Sequence, residues 1–227
     1  MPPPDIPERG NPFAETRVYF RDRRDAGRQL APRFSMLAGR EDLVVLGLAR
    51  GGVPVAYEVA QALHAPLDVF VIRKLGVPGQ PELAMGAIAS GGICVLNREV
   101  LLRIPDADAI LAEVTAIERR ELERREIEYR GRRPAPVLRG KTVMVVDDGL
   151  ATGASMRAAV LALRQAKAAR VIVAAPVGST SACAKLAREA DELVCLTAPT
   201  DFDAVGQVYG DFSQTTDEEV RSLLARC

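Results

Sequence analysis

Two adjacent carboxylates followed by a loop of small residues carry the clearest chemical signal in the chain. Residues 147–155 read DDGLATGAS and come directly after the apolar run TVMVV. Hydroxyl groups donate hydrogen bonds to carboxylates, so Asp147 and Asp148 suit a diol. The loop behind them leads into a predicted helix, whose amino end favours an anion. The spacing therefore fits a sugar that carries both a diol and a phosphate, such as ribose 5-phosphate.

Other parts of the same loop support a phosphate, although two further interpretations remain open. Gly149 and Gly153 allow close backbone approach, and Thr152 and Ser155 add hydroxyl donors. Alternatively, the two acids simply cap the helix. A receiver-type site, in which strand-end acids bind magnesium and one is phosphorylated, is the third interpretation. The Gly, Thr and Ser loop counts against it, because a receiver needs no phosphate-shaped helix entry.

The elements that must position these acids are predicted from hydrophobic patterns. Continuous apolar runs predict strands at 43–49, 67–72, 142–146, 171–177 and 192–198, and 3.6-residue periodicity or small-residue content predicts helices at 22–38, 55–63, 154–166 and 181–190. Pro32 should kink or break the first helix. Apolar strands alternating with helices predict an α/β fold with a mostly parallel, doubly wound sheet covered on both faces. Ligands of such sheets bind beyond the carboxyl ends of the strands, where Asp147 and Asp148 lie.

Several segments fall outside this alternation. Residues 84–89 and 93–97 predict a hairpin, and 17–20 a short strand. The proline-rich residues 1–16 predict a loose arm. Residues 105–133 form a helical insertion, in which Glu121 with Arg125 and Glu126 with Arg130 are supporting i,i+4 pairs. We expect a solvated helix with a thin apolar stripe of Ile110, Val114 and Ile117, although a dimer contact or a flank of the site is also open.

Bulk composition limits the classes of function. The 227 residues contain 30 basic and 30 acidic side chains, which argues against nucleic acid as a general partner. Four scattered cysteines and a single histidine, His64, exclude a zinc site and suit a reducing cytosol. From the first residues and the lengths of the apolar runs we expect neither a signal peptide nor a membrane-spanning segment. These features predict a cytoplasmic protein without a membrane partner.

The sequence VMVVDDGLATGAS resembles the phosphoribosyl diphosphate signature of type I phosphoribosyltransferases: apolar residues, two acids, then a loop with Thr-Gly and a terminal Ser or Thr. The resemblance implies the fold of that family, which is the predicted doubly wound α/β sheet with a small hood or flap. It implies that Asp147 and Asp148 hold the ribose hydroxyls and that the loop holds the 5-phosphate. The implied ribose and phosphate ligands are Asp147, Asp148, Gly149, Leu150, Ala151, Thr152, Gly153, Ala154 and Ser155.

Two more stretches are similar to motifs of that family, in the family's order. LARGGVP at 48–54 resembles its diphosphate loop, and IRKLGVPGQPEL at 72–83 resembles its mobile catalytic loop. The Gly and Pro content of the second stretch should resist regular structure and suit a lid. An ordinary tight turn and a surface hairpin are the respective alternatives. The implied diphosphate ligands are Ala49, Arg50, Gly51, Gly52, Arg73 and Lys74.

The resemblance also implies a reaction. Ribose 5-phosphate would pass from phosphoribosyl diphosphate to a nitrogenous base or related acceptor, with release of diphosphate. Asp147, Asp148, Arg73 and Lys74 would be the catalytic residues, and Mg²⁺ would be the cofactor, held by diphosphate and water and only indirectly by Asp147 and Asp148.

The acceptor is less well defined. Relatives that act on 6-oxopurines carry an acid three residues after the second aspartate, and here that position is Ala151. The loop is nearer the adenine type, yet the RGG turn, the long charged helix and the longer C-terminal part are similar instead to uncharacterised bacterial phosphoribosyltransferase-domain proteins. Residues 200–227 are a candidate hood or flank. The candidate acceptor contacts are Glu82, Phe202, Tyr209 and Phe212, although the aromatic residues would also serve to anchor the segment and Glu82 would also suit a solvated surface position.

Three functional hypotheses follow. The first is a phosphoribosyltransferase with a single domain over residues 1–227. Whether it is a monomer or a homodimer is left open by the sequence. The second is a non-catalytic regulator that binds phosphoribosyl diphosphate or a nucleotide. The third is an enzyme of the same fold that acts on another phosphorylated sugar.

Overall fold

The computed structural model describes residues 19–227, apart from the side chains of Pro81 and Glu82. The arm predicted at 1–16, the first half of the strand predicted at 17–20 and the Glu82 side chain therefore lie outside the described residues. Of the predicted first strand, Phe20 forms an isolated bridge with Tyr209.

Within residues 19–227, eight strands form two sheets. They are β1 (Leu43–Leu48), β2 (Leu67–Phe70), β3 (Ile72–Val77), β4 (Gln80–Ala89), β5 (Ile93–Leu96), β6 (Thr142–Val146), β7 (Arg170–Val177) and β8 (Glu192–Thr197). Five of them make a parallel sheet in the order β2-β1-β6-β7-β8. The predicted α/β fold with a mostly parallel central sheet is confirmed.

Helices cover both faces of the parallel sheet. They are α1 (Arg23–Leu30), α2 (Gly52–Leu63), α3 (Arg98–Leu101), α4 (Ala107–Arg130), α5 (Ala154–Gln165), α6 (Thr180–Leu186) and α7 (Asp217–Leu224), with a 3₁₀ segment at Ala31–Leu37. Side chains of a strand alternate between faces. Accordingly, Val45 packs with residues of α2, α4 and α7, whereas Val44 packs with residues of α5 and α6. Burial on both faces explains why the strands are apolar throughout.

The strand order reverses between β1 and β6. The chain moves from β1 through α2 to β2 on one side, and from β6 through α5 to β7 and then β8 on the other. Because the two connections diverge, the loops after β1 and β6 leave a crevice at the carboxyl ends of neighbouring strands. Residues 49–52 and 147–153 lie in these two loops, so the topology brings together two of the three motifs.

The second sheet is antiparallel, with the order β3-β4-β5. It confirms the predicted hairpin of 84–89 and 93–97, but it contradicts the expected irregular lid at 72–83. Residues 72–77 pair with β4 through a turn at Pro78 and Gly79, where Gly79 has a φ of 77°. The glycine and proline residues that suggested an irregular lid are instead used in the hairpin turn. A tight hairpin turn needs a residue with positive φ, which Gly79 provides.

The long helix α4 is only partly the solvated helix that we expected. Its Glu121–Arg125 and Glu126–Arg130 pairs are present, at 2.7 and 2.8 Å. However, Leu122 and Tyr129 are buried in the core, whereas Ile117 of the predicted stripe is 57% exposed. The helix packs through its second half as well as through Ile110 and Val114, because the core-facing stripe continues to its carboxyl end.

Other predicted boundaries differ slightly from the structure. As expected, α1 gives way to the 3₁₀ segment just before Pro32, and His64 ends α2. The helix predicted from residue 181 to 190 ends at Leu186. Within residues 19–227, none of the helices is both long and apolar enough to cross a bilayer.

Candidate functional site

The loop after β1 packs directly against the acid pair. A β-carbon placed on Gly52 would lie 2.9 Å from Cα of Asp147 and would collide with the carbonyl oxygen of Val146. A β-carbon on Gly51 would overlap Oδ2 of Asp148. Only glycine fits at these two positions without moving the backbone or the carboxylate. The two glycines therefore bring the 49–52 loop into contact with the strand-end acids.

Helix α2 begins at Gly52, three residues earlier than the sequence predicts. The peptide bond between Ala49 and Arg50 is cis, and the amide of Val53 already donates to the carbonyl of Arg50, at 3.1 Å. The RGG turn thus leads directly into a twelve-residue helix, with Gly51 as its N-cap. Helix amino ends present amides without intrahelical partners and a positive dipole end, which suit a negatively charged ligand.

Each acid of the pair uses one carboxylate oxygen in the structure. Oδ1 of Asp147 accepts from the backbone amide of Asp148 at 2.9 Å, and Oδ2 of Asp148 accepts from Nε of Arg23 at 2.7 Å. Within the described residues, the other oxygen of each acid has no hydrogen bond, and neither oxygen is among the fully buried unpaired atoms. One acceptor on each of two neighbouring carboxylates is the arrangement that a vicinal diol requires.

Burial and mutual repulsion set the charge of the pair. Burial raises the pKa of Asp147 well above its usual value, and the negative charge of Asp148 raises it further. Burial also raises the pKa of Asp148, although the guanidinium of Arg23 opposes this effect. A bound cation, or a positive charge that develops on a substrate, would favour the ionised form of both groups.

The 149–155 loop combines a packed half with an exposed half. Leu150 is buried and bridges to Gly178, and a β-carbon on Gly149 would lie 2.8 Å from Cγ2 of Val205. Gly153 has a φ of 72° and precedes α5. The exposed members of the loop are Ala151, Thr152, Ala154 and Ser155. The buried half fixes the backbone, and the exposed half presents the amino end of α5 to solvent.

Two of the three basic side chains assigned to diphosphate are held away from the acid pair in the structure. Nη1 of Arg50 lies 3.4 Å from Oδ1 of Asp217 in α7, and Nε of Arg73 lies 2.7 Å from Oε2 of Glu118 in α4. These two contacts place both guanidinium groups on the side of the sheet covered by α4 and α7.

Arg73 and Lys74 also lie on opposite faces of the hairpin. Arg73 shares its face with Leu75, which is buried in the cluster that contains α4 residues. Lys74 is exposed and shares its face with Ile72, which packs against the cluster that contains α5 residues. A regular strand therefore cannot direct both cations to one diphosphate unless the hairpin changes conformation.

The three candidate aromatic residues anchor the C-terminal segment in the structure. Tyr209 is 5% exposed, its ring stacks on Phe212 at 5.0 Å, and it lies 5.4 Å from Phe20. Its hydroxyl donates to the carbonyl of Asp148 at 2.6 Å. In this conformation Tyr209 follows the alternative interpretation, in which the aromatic residues anchor the segment, because its ring is buried against other aromatic rings. Phe202 packs against the same cluster, and Phe212 remains 37% exposed.

Arg23 is the site residue that sequence reasoning missed. Its guanidinium reaches Asp148, donates to the carbonyl of Ser213 at 2.6 Å and lies 3.9 Å from the ring centre of Phe212. In the sequence it is one of several charged residues at the start of a helix, in RDRRD. A partner 125 residues away leaves no local pattern, so a single sequence could not have revealed this contact.

Within the described residues, no group of three or more His, Cys, Asp or Glu side chains could hold a metal ion. Two carboxylates with one unused oxygen each would fit a hard cation whose other ligands come from substrate and water. The donor set is therefore compatible with indirect magnesium binding and not with an all-protein metal site.

The sequence of this chain is similar to those of known proteins. The sequence model of the phosphoribosyl transferase domain matches residues 22–213. "Putative phosphoribosyl transferase Rv0571c" of Mycobacterium tuberculosis strain H37Rv is 51% identical over 210 residues, which are 91% of this chain and 46% of that protein. The chain thus spans about half the length of the curated relatives that it matches.

Solved structures agree with that match. TT1426 from Thermus thermophilus shares 47% identity and a TM-score of 0.81, over 91% of this chain and 98% of that chain. A hypothetical protein from Neisseria gonorrhoeae, solved with bound ppGpp, has 15% identity and a TM-score of 0.51, over 94% of this chain and 98% of that chain. The second likeness concerns the fold alone.

Proposed function

Since the chain belongs to the phosphoribosyl transferase domain family, we propose that it transfers ribose 5-phosphate from phosphoribosyl diphosphate to a nitrogen acceptor. Diphosphate is the leaving group, and the bond between C1 of the ribose and the diphosphate oxygen is replaced by a bond from C1 to nitrogen. Family membership supports the general reaction, and the arrangement of this chain's residues supports the assignment of roles.

One observation carries the proposal: two helix amino ends and a pair of carboxylates meet at the switch point of the sheet. The first turn of α2 lies against the acid pair through Gly51 and Gly52. The 149–155 loop leads from the same acids to the start of α5. The site thus offers two anion-binding ends with a diol-binding pair between them. Phosphoribosyl diphosphate has two phosphate-bearing ends separated by a ribose diol.

The acid pair would act on the ribose. Oδ2 of Asp147 and Oδ1 of Asp148 accept from the 2′ and 3′ hydroxyls and fix the orientation of the ring. As the bond to diphosphate breaks, positive charge develops on the ring. The adjacent carboxylates stabilise that charge from a partly buried position, where electrostatic interactions are stronger than in water.

The two helix ends would hold the anionic groups. The α5 end, with Thr152 and Ser155, binds the 5-phosphate, and the α2 end, with Gly51 and Gly52, binds the diphosphate. Magnesium, when bound with the substrate, would neutralise charge on the leaving diphosphate. Arg50, Arg73 or Lys74 would add to this neutralisation after leaving the contacts that they make in the structure.

The acceptor would enter beside the C-terminal segment. Ala151 leaves the phosphate loop without the acid that 6-oxopurine relatives use to handle a base proton, so a 6-oxopurine acceptor is disfavoured. Phe212 and Phe202 lie on this side with part of their surface exposed, and Glu82 stays a candidate contact.

Acceptor-dependent release of diphosphate tests the proposal. The protein would be incubated with phosphoribosyl diphosphate, magnesium and a panel of purine, pyrimidine and other nitrogen acceptors. We expect release with one acceptor class and none with ribose 5-phosphate in place of the substrate. Asp148→Asn should lower the rate of release by about 10²–10³-fold. Asp42→Asn is a matched control, because Asp42 lies at the opposite end of the same central strands and bonds Thr142.

The result also separates the alternatives. Tight, magnesium-dependent binding of phosphoribosyl diphosphate without turnover across the whole panel would contradict an enzyme and favour a regulator. Neither binding nor turnover would contradict both. Because the curated relatives are about twice as long, the measurement should be repeated with any longer natural form of the protein.

A further inference from the structure

Asp148 is restrained from two directions by parts of the chain that lie outside the three motifs. Its carboxylate accepts from Nε of Arg23 at 2.7 Å, and its backbone carbonyl accepts from the hydroxyl of Tyr209 at 2.6 Å. The Arg23 and Asp148 side chains are 12% and 14% exposed. An ion pair with so little exposure is weakly screened by solvent.

The same guanidinium also binds the C-terminal segment. Nη1 of Arg23 donates to the carbonyl of Ser213 at 2.6 Å, and the Cζ atom lies 3.9 Å from the ring centre of Phe212. Phe212 in turn stacks on Tyr209. Arg23 therefore joins the acid pair to residues 205–213 by a hydrogen bond and a cation–π contact, in addition to its ion pair.

The contact leaves room for substrate. Arg23 occupies Oδ2 of Asp148, and Oδ1 has no partner within residues 19–227. The Gly51 turn of the proposed diphosphate loop packs on the Oδ2 side, where an added β-carbon would lie 3.3 Å from Nε of Arg23. Arg23 is thus on the protein side of the carboxylate, between Asp148 and the C-terminal segment.

We propose that Arg23 is a positioning residue that holds Asp148 in the orientation needed for the ribose and couples the C-terminal segment to that orientation. This inference depends on the proposed function, because it assigns a role in the binding of the same ribose. Arg23 acts through Asp148 and does not touch the substrate.

Arg24 provides a matched control in the same helix. It is the adjacent arginine, but its Nε pairs with Glu58 at 2.6 Å and it makes no contact with Asp148. Arg23→Gln and Arg24→Gln remove the same charge from the same turn of α1. Any effect of net charge or of helix stability should appear in both variants.

The test compares wild type, Arg23→Gln, Arg24→Gln and Arg23→Lys. For Arg23→Gln we expect the dissociation constant of phosphoribosyl diphosphate to rise about tenfold, which corresponds to about 1.4 kcal/mol. Arg24→Gln should match wild type. Arg23→Lys should restore only part of the affinity, because one ammonium keeps the charge but cannot make all three contacts.

A stability measurement keeps the inference testable without turnover. The free energies of unfolding form a double-mutant cycle of wild type, Arg23→Gln, Asp148→Asn and the double variant. We expect a non-zero coupling energy between the side chains of Arg23 and Asp148. A wild type that neither binds nor turns over the substrate would overturn the proposed function, whatever the cycle shows. An active wild type with Arg23→Gln equal to Arg24→Gln, or with tighter binding in Arg23→Gln, would overturn the role of Arg23 alone.

Discussion

Two Arg–Asp pairs of similar geometry join different helices to different strands of the parallel sheet, or to the loop that follows a strand. Arg23 and Asp148 are 2.7 Å apart, and Arg130 and Asp68 are 2.8 Å apart. The side chains of the first pair are 12% and 14% exposed, and those of the second are 8% and 11% exposed. Distance and burial therefore do not distinguish a pair at the candidate site from a pair that holds α4 to β2.

The difference lies in how completely the hydrogen bonds are used. Both oxygens of Asp68 accept from Arg130, and Oδ1 also accepts from the amide of Val69. Arg130 donates in addition to Glu126 and to the carbonyl of Val69. Asp148 keeps one oxygen without a partner among the described residues. A saturated pair is built for structure, whereas a pair with a spare acceptor can receive a ligand.

Neighbouring charges give a second difference. Asp68 is faced by two cations, Arg130 and Arg133, which oppose the effect of burial on its pKa. The candidate site instead has two acids side by side, and that arrangement raises the pKa of Asp147. Like charges in contact cost stability, so a fold keeps them where a ligand or a reaction requires them.

The saturated pair should give the largest effect on stability. Arg130→Ala leaves Asp68 buried without its main partner, and we expect the free energy of unfolding to fall by about 3–5 kcal/mol. Chemical denaturation measures this loss. Arg40→Ala is the control, because Arg40 and Asp42 form a pair that is 43% and 40% exposed and should contribute at most about 1 kcal/mol. Equal losses in the two variants would contradict the contrast.

The open pair should show its effect in activity instead. Asp148→Asn keeps the shape of the side chain but removes the charge that stabilises the ribose, so kcat/KM should fall by about 10²–10³-fold. The unfolding free energy should change by less than about 1 kcal/mol, because loss of the ion pair with Arg23 is offset by relief of repulsion with Asp147. Steady-state kinetics and denaturation on one preparation provide both numbers. A large loss of stability with unchanged kinetics would mean that Asp148 has a structural role like that of Asp68.

The glycines beside the open pair allow a smaller effect to be measured. Gly52→Ala brings a β-carbon to 2.9 Å from Cα of Asp147, which is backbone and cannot rotate away. We expect the affinity for phosphoribosyl diphosphate to fall about tenfold, which corresponds to about 1.4 kcal/mol. Gly206→Ala is the control, since its β-carbon would also lie at 2.9 Å, but from the side chain of Phe212. Calorimetric titration should separate the two variants.

The sequence predicts the parts of this contrast that are local. The DDGLATGAS loop, the RGG turn and the apolar strands each have a short pattern, and the structure brings the first two together as the strand order requires. At 72–83 the irregular lid is wrong and the alternative, a hairpin, is what the structure shows, because Gly and Pro fit a tight turn as well as an irregular lid. Arg23 and the saturation of Asp68 are not predicted, because both depend on contacts across 125 and 62 residues of chain.

The repulsion within the open pair should appear as a small gain in stability on neutralisation. In the folded protein the pKa of Asp147 is raised above the usual 3.8, which the unfolded chain retains. As pH rises from about 4, the unfolded chain loses this proton first, so wild-type stability falls until the folded pKa is passed.

Asp147→Asn has no such proton, and its side-chain oxygen still accepts from the amide of Asp148. At neutral pH the free energy of unfolding of the variant should exceed that of wild type by about 1 kcal/mol, a gain typical of single stabilising substitutions. Urea denaturation from pH 5 to 8 should show the difference between the two proteins widening with pH. A difference that narrows would mean that Asp147 is stabilised as an anion in the folded protein, and the open pair would then resemble the saturated one.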